Sequence, residues 1–298
     1  MGSSATYDVT LPVILRLGRV SNLPTVWTNV LAGIVLTMVP LSFGATVALM
    51  LALSLFYVAG MFLNDAFDAD FDRMHRPGRP IPSGEIAAST VFGIGGALLC
   101  AGLCLLLAFG YAAPLGTGPR GFEAGLALSA AILVYDIWHK GNPIGPLVMG
   151  LCRVLVYVTA ALAVAGALSG DLLLAAGVAL SYLIGLTYVA KQEDLKQPGH
   201  LWPLLFLAAP FIYGLRIAAA GGVGLAIYLL FLAAVLYALS LMARPGRANI
   251  GRVVTILIAG ISLLDGLFIA GQGQAALTGL TLAAFVLTLV LQRYVAGT

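Results

Sequence analysis

The sequence predicts an all-α fold, a polytopic bundle of transmembrane helices, and three observations support this prediction. Of the 298 residues, 61% are hydrophobic and 9% are charged, and the mean hydropathy is +1.03. Ordinary soluble domains have about 25% charged residues, so this chain cannot build a water-facing surface. Uncharged stretches run from Val20 to Asn64 and from Ile86 to Pro119, each long enough for a span of about 20 residues. The composition excludes soluble enzymes, nucleic-acid-binding proteins and disordered chains.

Apolar blocks bounded by glycine, proline and charged residues predict the helices in order. They fall at 20–39, 44–66, 87–110, 122–138, 144–167, 171–190, 201–219, 222–242, 250–271 and 274–293. Only four residues, Gly271-Gln-Gly-Gln274, separate the last two apolar blocks. These blocks could form one helix or two, so nine to ten helices are predicted. The blocks are rich in alanine and glycine, which suits close helix packing in lipid. We expect residues 1–298 to form a single domain around a central cavity open to the cytoplasmic side and to lipid.

Basic residues concentrate in alternate loops. The even-numbered loops and the N-terminal side contain Arg16, Arg19, Arg73, Arg76, Arg79, Lys140, Lys191, Lys196, Arg244, Arg247 and Arg252. The odd-numbered loops contain Arg120 and little else. By the positive-inside rule, both termini and every even loop face the cytoplasm. A bacterial inner membrane is the expected location.

An acidic cluster lies at the cytoplasmic end of the second predicted helix. At about 100° per residue, Asn64, Asp65, Asp68 and Asp72 share one helix face, whereas Asp70 points away. Carboxylates that converge at low dielectric repel one another and gain nothing for folding. A divalent cation removes that penalty, and ligands that are all oxygen select a hard ion such as Mg²⁺. The cluster therefore predicts a Mg²⁺ site, with phosphate oxygens of a substrate at the remaining positions.

Basic residues follow the acidic cluster directly. Arg73, His75, Arg76 and Arg79 precede Pro80-Ile-Pro-Ser-Gly84. Arginine forks suit phosphate oxygens, and the prolines would fix the loop that holds them. The alternative is an ordinary cytoplasmic loop in which a few acids balance the basic residues.

These two elements together resemble a known family signature. Asn64-Asp65-x-x-Asp68-x-x-x-Asp72, followed by Arg79-Pro-Ile-Pro-Ser-Gly84, is similar position for position to the first signature of the UbiA superfamily of intramembrane prenyltransferases. The stretch from Arg19 to Asn29 resembles the start of that family's first helix, in which an asparagine, here Asn22 or Asn29, faces the cavity. Tyr135 to Lys140 resembles the end of its fourth helix. The resemblance covers about residues 12 to 215.

The family's second aspartate-rich motif corresponds to residues 188–196, where the repeated acidic pattern is absent. The resemblance makes Glu193 the surviving metal ligand, with Asp194 as the fallback, and it places Lys191 near the diphosphate. Lys196 would replace part of the missing metal charge. A solvated loop of mixed charge is the alternative. The stretch from Ala190 to Glu193 resembles the EboC-like branch of the family.

A few ionisable residues lie within or beside predicted spans. Arg153 is costly there unless it faces a cavity or a partner, and we expect that partner to be Asp136 or a diphosphate. For Asp265 an internal pair and a small-residue contact are equally plausible. Interfacial solvation is expected for His139 and His200, because no second histidine lies at metal-binding spacing.

The resemblance implies Mg²⁺-dependent transfer of an isoprenyl group from a polyprenyl diphosphate to a small aromatic or otherwise electron-rich acceptor within the membrane. No nucleic acid and no obligate protein partner is expected. The implied residues are Asp65, Asp68, Asp72, Asn64 and Lys191 for catalysis, Arg79, Lys140, Arg153, Arg76 and Asn22 for the diphosphate, and Asp65, Asp68, Glu193 and Asp194 for the metal. The alternatives are a non-catalytic lipid-diphosphate binding protein or transporter, and transfer of a phosphosugar to a polyprenyl phosphate.

Overall fold

The computed structural model describes residues 10–40, 42–114, 116–191, 202–242 and 250–297. Over these ranges the chain forms helices and no β-strand, so the predicted all-α class is confirmed. Helices α1 to α12 in chain order are Leu11–Leu17, Leu23–Val35, Phe43–Phe67, Ala69–His75, Ala88–Ala112, Arg120–Trp138, Gly145–Val164, Gly170–Lys191, Ala209–Ala219, Gly222–Met242, Ile250–Gly271 and Ala275–Leu291. A 3₁₀ segment, Trp202–Ala208, leads directly into α9.

The first predicted helix, at 20–39, has the wrong bounds. The chain is already helical at Leu11, and it is interrupted where Arg19 adopts a left-handed conformation with φ 40°. A short 3₁₀ turn follows, and then α2 begins with Pro24 in its first turn. Proline suits that position because the first-turn N–H groups have no partner within the helix. The break places Arg19 at the end of the bundle instead of inside a continuous span.

Helix α3 continues into α4 with only Asp68 between them. The Asp68 N–H donates to the Asn64 carbonyl at 2.9 Å, and the Asp72 N–H donates to the Asp68 carbonyl at 2.9 Å. Because the helical hydrogen bonds are nearly uninterrupted, Asn64, Asp68 and Asp72 stay on one buried face. Asp70 points outward, as the periodicity predicts.

The lengths of the helices suit a multi-pass membrane protein. Eight described helical segments are long and apolar enough to cross a bilayer, namely α3, α5, α6, α7, α8, residues 202–219, α10 and α11. Helices α2 and α12 are shorter, at 13 and 17 residues. Every predicted apolar block coincides with a helix, although the first and last blocks form helices shorter than a full span.

Helix α11 lies at the centre of the bundle. In its most apolar 18-residue window 83% of the residues are buried, compared with 28% in α5 and α10. It packs against α2, α8, α10 and α12. Between α2, α3, α6, α7, α8 and α11 the helices leave a cavity.

Candidate active site

The cavity has a volume of about 690 Å³ and differs in character along its length. One end is lined by polar residues from the C-terminal ends of α3, α6 and α8 and the start of α2. The other end is lined by apolar side chains such as Val26, Phe56, Leu128 and Val156. A ligand with a charged head and a hydrocarbon tail would match both ends.

Asp68 lies on the cavity wall between two basic side chains. Lys140 Nζ is 2.8 Å from Asp68 Oδ1, and His139 Nε2 is 3.5 Å from Asp68 Oδ2. Burial raises the pKa of the Asp68 carboxyl, but the hydrogen bonds and charges of His139 and Lys140 outweigh it and hold this pKa below its ordinary value. The solvation expected for His139 is therefore wrong, because its side chain is only 15% exposed and contacts the acidic face.

Arg79 joins the other two buried carboxylates. Its Nη1 donates to Asp65 Oδ1 at 3.1 Å and to Asp72 Oδ2 at 2.8 Å. Arg19 Nη2 donates to the same Asp65 oxygen at 3.1 Å. Arg79, Arg19 and Asp72 line the cavity, whereas Asp65 lies behind the two arginines and is not among the lining residues. The structure therefore places Asp65 next to the cavity wall and not on it.

Asn64 lies beside a second acid on the wall. Its Nδ2 donates to Asp136 Oδ1 at 3.2 Å. The other oxygen, Asp136 Oδ2, is buried and has no hydrogen-bond partner in the described part of the chain. Buried polar atoms are almost always paired, so this oxygen is open to a donor from a ligand or from water.

Lys191 and Asn22 also line the cavity, and each already has a protein partner. Lys191 Nζ donates to the Asn142 carbonyl at 2.8 Å. The Asn22 amide donates to the Gly297 carbonyl at 2.9 Å and accepts from Gln292 Nε2 at 2.7 Å. These two bonds hold the Asn22 side chain in place at the cavity wall. Arg76 lines the same end of the cavity.

Arg153 lines the cavity from α7 but does not pair with Asp136, the protein partner that the sequence suggested. Its guanidinium donates to Asn29 Oδ1 at 2.7 Å and to Thr25 Oγ1 at 3.0 Å. Asn29 in turn donates to Asp265 Oδ2 at 2.7 Å. Of the two candidate asparagines, Asn22 lines the cavity and Asn29 links Arg153 to Asp265.

Asp265 is fully buried in the bundle. Besides Asn29, it accepts hydrogen bonds from Thr28, at 2.5 Å, and from Tyr157. These donors come from α2 and α7. Of the two alternatives that the sequence left open for Asp265, the structure has internal pairing, as a network of neutral donors that reaches Arg153.

The carboxylates at the cavity are the type of ligand that Mg²⁺ prefers, but the described residues do not form a complete metal site. Among the residues that the structure describes, no three His, Cys, Asp or Glu side chains are close enough together to hold a metal ion. Mg²⁺ commonly takes one or two carboxylates and fills its other positions with water and substrate phosphate. Asp68 on the wall meets that requirement. The second predicted pair of ligands, Glu193 and Asp194, lies outside the described residues, as do Lys196 and His200.

The cavity wall has an excess of positive charge. Six basic residues line it, against three acidic ones: Arg19, Arg76, Arg79, Lys140, Arg153 and Lys191, against Asp68, Asp72 and Asp136. Sequence reasoning did not assign Arg19 and His139 to the site. The sequence gives little indication of either role. Arg19 is accounted for as one of the basic residues that set the membrane topology, and His139 has no second histidine at metal-binding spacing.

Comparison with known proteins identifies related chains. The model of the UbiA prenyltransferase family matches residues 23–258. The digeranylgeranylglyceryl phosphate synthase of Sulfolobus acidocaldarius is 27% identical over 150 residues, which are 49% of this chain and 50% of that protein. The synthase of Methanoregula boonei is 38% identical over 112 residues, which are 30% and 40% of the two chains. The chain therefore spans about half or less of the curated relatives' length in these matches.

Solved structures share the fold over nearly the whole chain. A structure of digeranylgeranylglyceryl phosphate synthase is 20% identical with a TM-score of 0.61, and covers 88% of this chain and 98% of its own. A UbiA homologue from Archaeoglobus fulgidus bound to GPP and Mg²⁺ is 16% identical with a TM-score of 0.51, and covers 92% and 99%. At these identities the similarity establishes the helical fold alone.

Proposed function

This chain belongs to the UbiA prenyltransferase family, and on that premise we propose that it transfers an isoprenyl group from an isoprenyl diphosphate to an acceptor inside the membrane. The observation that supports this most is the cavity, which has a positively charged mouth and an apolar interior. A diphosphate head and a hydrocarbon tail have the same two characters. The chain is a multi-pass integral membrane protein, so the tail can reach the cavity without crossing water.

The acidic face would hold the metal. Asp68 with Glu193, or with Asp194 in its place, would be the ligands of Mg²⁺, and Asp65 would support them from behind the wall. Asn64 and Asp72 would orient these groups. When bound, Mg²⁺ would neutralise charge on the diphosphate oxygens as the allylic carbon–oxygen bond breaks. Structures of a UbiA homologue from A. fulgidus contain GPP or DMAPP together with Mg²⁺, which supports the same ion here.

The basic residues would stabilise the departing diphosphate. Five basic residues line the cavity. Four of them, Arg76, Arg79, Lys140 and Lys191, lie at its polar end, and Arg153 lies on α7. Fixed positive groups in a site that excludes water stabilise developing negative charge more strongly than they would in solution. The apolar walls would also keep water away from the allylic cation until the acceptor attacks.

A small electron-rich acceptor fits this chemistry, because such a molecule attacks a carbocation without a strong base. The curated relatives are digeranylgeranylglyceryl phosphate synthases, which supports prenyl transfer. The acceptor of this chain is our proposal. We propose the cytoplasmic orientation on the basic loops alone, by the positive-inside rule. The relatives reported above are archaeal, so a bacterial inner membrane and the EboC-like branch stay predictions from the sequence.

The test is diphosphate release by purified protein in lipid, with a series of isoprenyl diphosphates and pooled aromatic acceptors. We expect release that requires Mg²⁺, stops with EDTA, and falls at least about 100-fold in Asp68→Ala, since removing a charge-stabilising group costs this much in other enzymes. Asp70→Ala is the matched control, because Asp70 is in the same segment with a 92% exposed side chain.

Three other outcomes have distinct meanings. Mg²⁺-dependent binding without release would favour a lipid-diphosphate carrier. Release that requires a sugar donor and a polyprenyl phosphate would indicate phosphosugar transfer. Absence of binding would contradict the assignment of the acidic face as a diphosphate site.

A further inference from the structure

Two pairs of side chains connect the end of α3 with the end of α6 at the polar end of the cavity. The outer pair is Asp68 and Lys140, whose Oδ1 and Nζ atoms are 2.8 Å apart. The inner pair is Asn64 and Asp136, with 3.2 Å between Asn64 Nδ2 and Asp136 Oδ1. All four residues line the cavity. In both segments the inner residue precedes the outer one by four positions, so the two pairs are one helical turn apart, or about 6 Å.

The inner pair lies between the outer pair and the apolar interior. Beyond Asn64 the lining residues of α3 continue to Phe56, and beyond Asp136 those of α6 continue to Leu128. An isoprenyl diphosphate whose diphosphate lies at Asp68 would therefore direct its tail past the inner pair. Its first carbon is attached directly to the diphosphate, so the carbon that reacts would lie at the level of Asp136.

One oxygen of Asp136 has no hydrogen-bond partner among the described residues. The residue is 5% exposed, and Oδ2 is the buried atom without a partner. Asn64 donates to the other oxygen, and no basic side chain of the described ranges forms an ion pair with Asp136. An ionised carboxylate can only accept hydrogen bonds, and an ionisable residue that faces a cavity inside a membrane helix indicates a functional site. The missing partner is thus expected on a ligand.

The other groups on the cavity wall are less suited to accept a proton. Of the three acidic residues that line it in the described part of the chain, Asp68 is paired with Lys140 and Asp72 with Arg79. Protonated lysine and arginine side chains have no acceptor. Asp136 is therefore the carboxylate of this wall that combines an unused oxygen with a position beside the reacting carbon.

From this arrangement we infer that Asp136 is the catalytic residue that accepts a proton from the acceptor, and that the acceptor carries a hydroxyl or N–H group. The inference rests on the proposed function. The C–O bond of the donor breaks, and its electron pair leaves with the diphosphate. The acceptor's oxygen or nitrogen, or a ring carbon conjugated with it, forms the new bond to the allylic carbon, and the O–H or N–H proton passes to Asp136 Oδ2. A weak base suffices, because the acceptor becomes more acidic as it attacks the cation.

The test compares the wild type with Asp136→Asn, which keeps the shape of the side chain but cannot take the proton. We expect kcat for prenyl transfer to fall about 100-fold, as is typical when a general base is lost, while the Mg²⁺-dependent affinity for the isoprenyl diphosphate stays within about twofold. Asp136→Glu keeps the carboxylate and should retain more activity than Asp136→Asn. Thermal unfolding would show that both variants are folded.

Acceptor analogues test the same contact without depending on the folding of a variant. The wild type should form product at least about tenfold faster from phenols and aromatic amines than from their O-methyl and N,N-dimethyl counterparts, because a site built around a hydrogen bond rejects analogues that lack the donor. Asp136→Asn should reduce this preference.

Glu123→Gln is the matched control. It removes a carboxylate from the same helix, at an exposed position in the first turn that does not line the cavity, and it should leave kcat and the acceptor preference unchanged.

Three results would overturn the inference: an unchanged kcat in folded Asp136→Asn, equal use of methylated acceptors by the wild type, or a loss of donor affinity that parallels the loss of kcat. The last would assign Asp136 to the metal and diphosphate site. If the wild type neither binds nor turns over any isoprenyl diphosphate, the proposed function fails first, and the inference fails with it.

Discussion

Arg79 joins two of the three buried carboxylates of the acidic segment, Asp65 and Asp72, through a single nitrogen atom. Arg79→Lys keeps the positive charge, but lysine is one bond shorter and its ammonium is a compact point charge, so one nitrogen can no longer reach Asp65 and Asp72 in the same geometry. We expect the KM for the donor to rise about tenfold, which corresponds to about 1.4 kcal/mol. Steady-state kinetics would measure this change. Arg73→Lys is the control, since Arg73 is exposed and pairs with the exposed Asp70; an equal effect in both variants would contradict the bridging role.

Glu85 offers a pH test outside the membrane-spanning helices. The hydrogen bond from Arg16 holds the pKa of the Glu85 carboxyl below its ordinary value of 4.5. Because the pKa is lower in the folded state, the pair stabilises the protein above pH 4.5 and this contribution is lost as the pH falls through the folded value. Both side chains are partly exposed, so we expect Arg16→Gln to cost only a few tenths of a kcal/mol near pH 7.

Thermal unfolding of the wild type and Arg16→Gln, each at pH 7 and at pH 3, would show this. The difference in melting temperature should be present at pH 7 and smaller at pH 3. A difference of equal size at both pH values would mean that Arg16 stabilises the fold in some other way than through Glu85.

Sequence could predict which residues of the acidic segment share a face, because helical periodicity is local. It placed Asn64, Asp68 and Asp72 together and Asp70 outside, as the structure has them. Sequence could not predict that Arg19 contacts Asp65 across 46 positions, or that Asn64 contacts Asp136 across 72. Such pairs depend on how separate helices are rotated against one another, which composition does not encode.

At the scale of helices, close contacts depend on individual glycines. A Cβ at Gly33 on α2 would lie 2.8 Å from the Tyr157 carbonyl oxygen on α7, which is backbone and cannot move aside. Gly33→Ala should therefore separate α2 from α7 and destabilise the protein by about 1–3 kcal/mol. Unfolding in mixed micelles would measure the loss.

Gly96→Ala is the matched control on α5. A Cβ there meets nothing within 4 Å, so the higher helix propensity of alanine should leave stability unchanged or raise it by up to about 1 kcal/mol. Equal destabilisation in the two variants would show that helix contact is not the reason for Gly33.

Helix positions were predictable because apolar blocks and their polar dividers are features of the sequence itself. The predicted 222–242 and 250–271 match α10 and α11 at both ends. The first helix was predicted poorly, because its interruption depends on a left-handed backbone at Arg19. Arginine gives no signal for that conformation, which glycine or asparagine would.

At the scale of the whole molecule, the central position of α11 explains why a carboxylate lies in the bundle. Asp265 on α11 accepts hydrogen bonds from α2 and α7, and through Asn29 it is linked to Arg153 on the cavity wall. Hydropathy alone predicts a span at 250–271, but it does not say which helices surround that span.

Asp265→Asn should weaken both the bundle and the cavity wall. The amide can present either a donor or an acceptor to Asn29, so the orientation that aims Asn29 Oδ1 at Arg153 is no longer enforced. We expect a loss of about 1–3 kcal/mol in unfolding free energy and weaker binding of inorganic pyrophosphate. Asp171→Asn is the control, since Asp171 is exposed and is contacted only weakly by Gln272, at 3.3 Å.

A double-mutant cycle separates the two effects of Asp265→Asn. If Asp265 acts on pyrophosphate through Asn29 and Arg153, then Asp265→Asn should have no further effect on pyrophosphate affinity once Arg153→Gln is present, because contacting residues are not additive. The loss of unfolding free energy should persist in part, since Thr28 and Tyr157 also donate to Asp265. Additive losses of pyrophosphate affinity would show that Asp265 influences the cavity by a route that does not include Arg153.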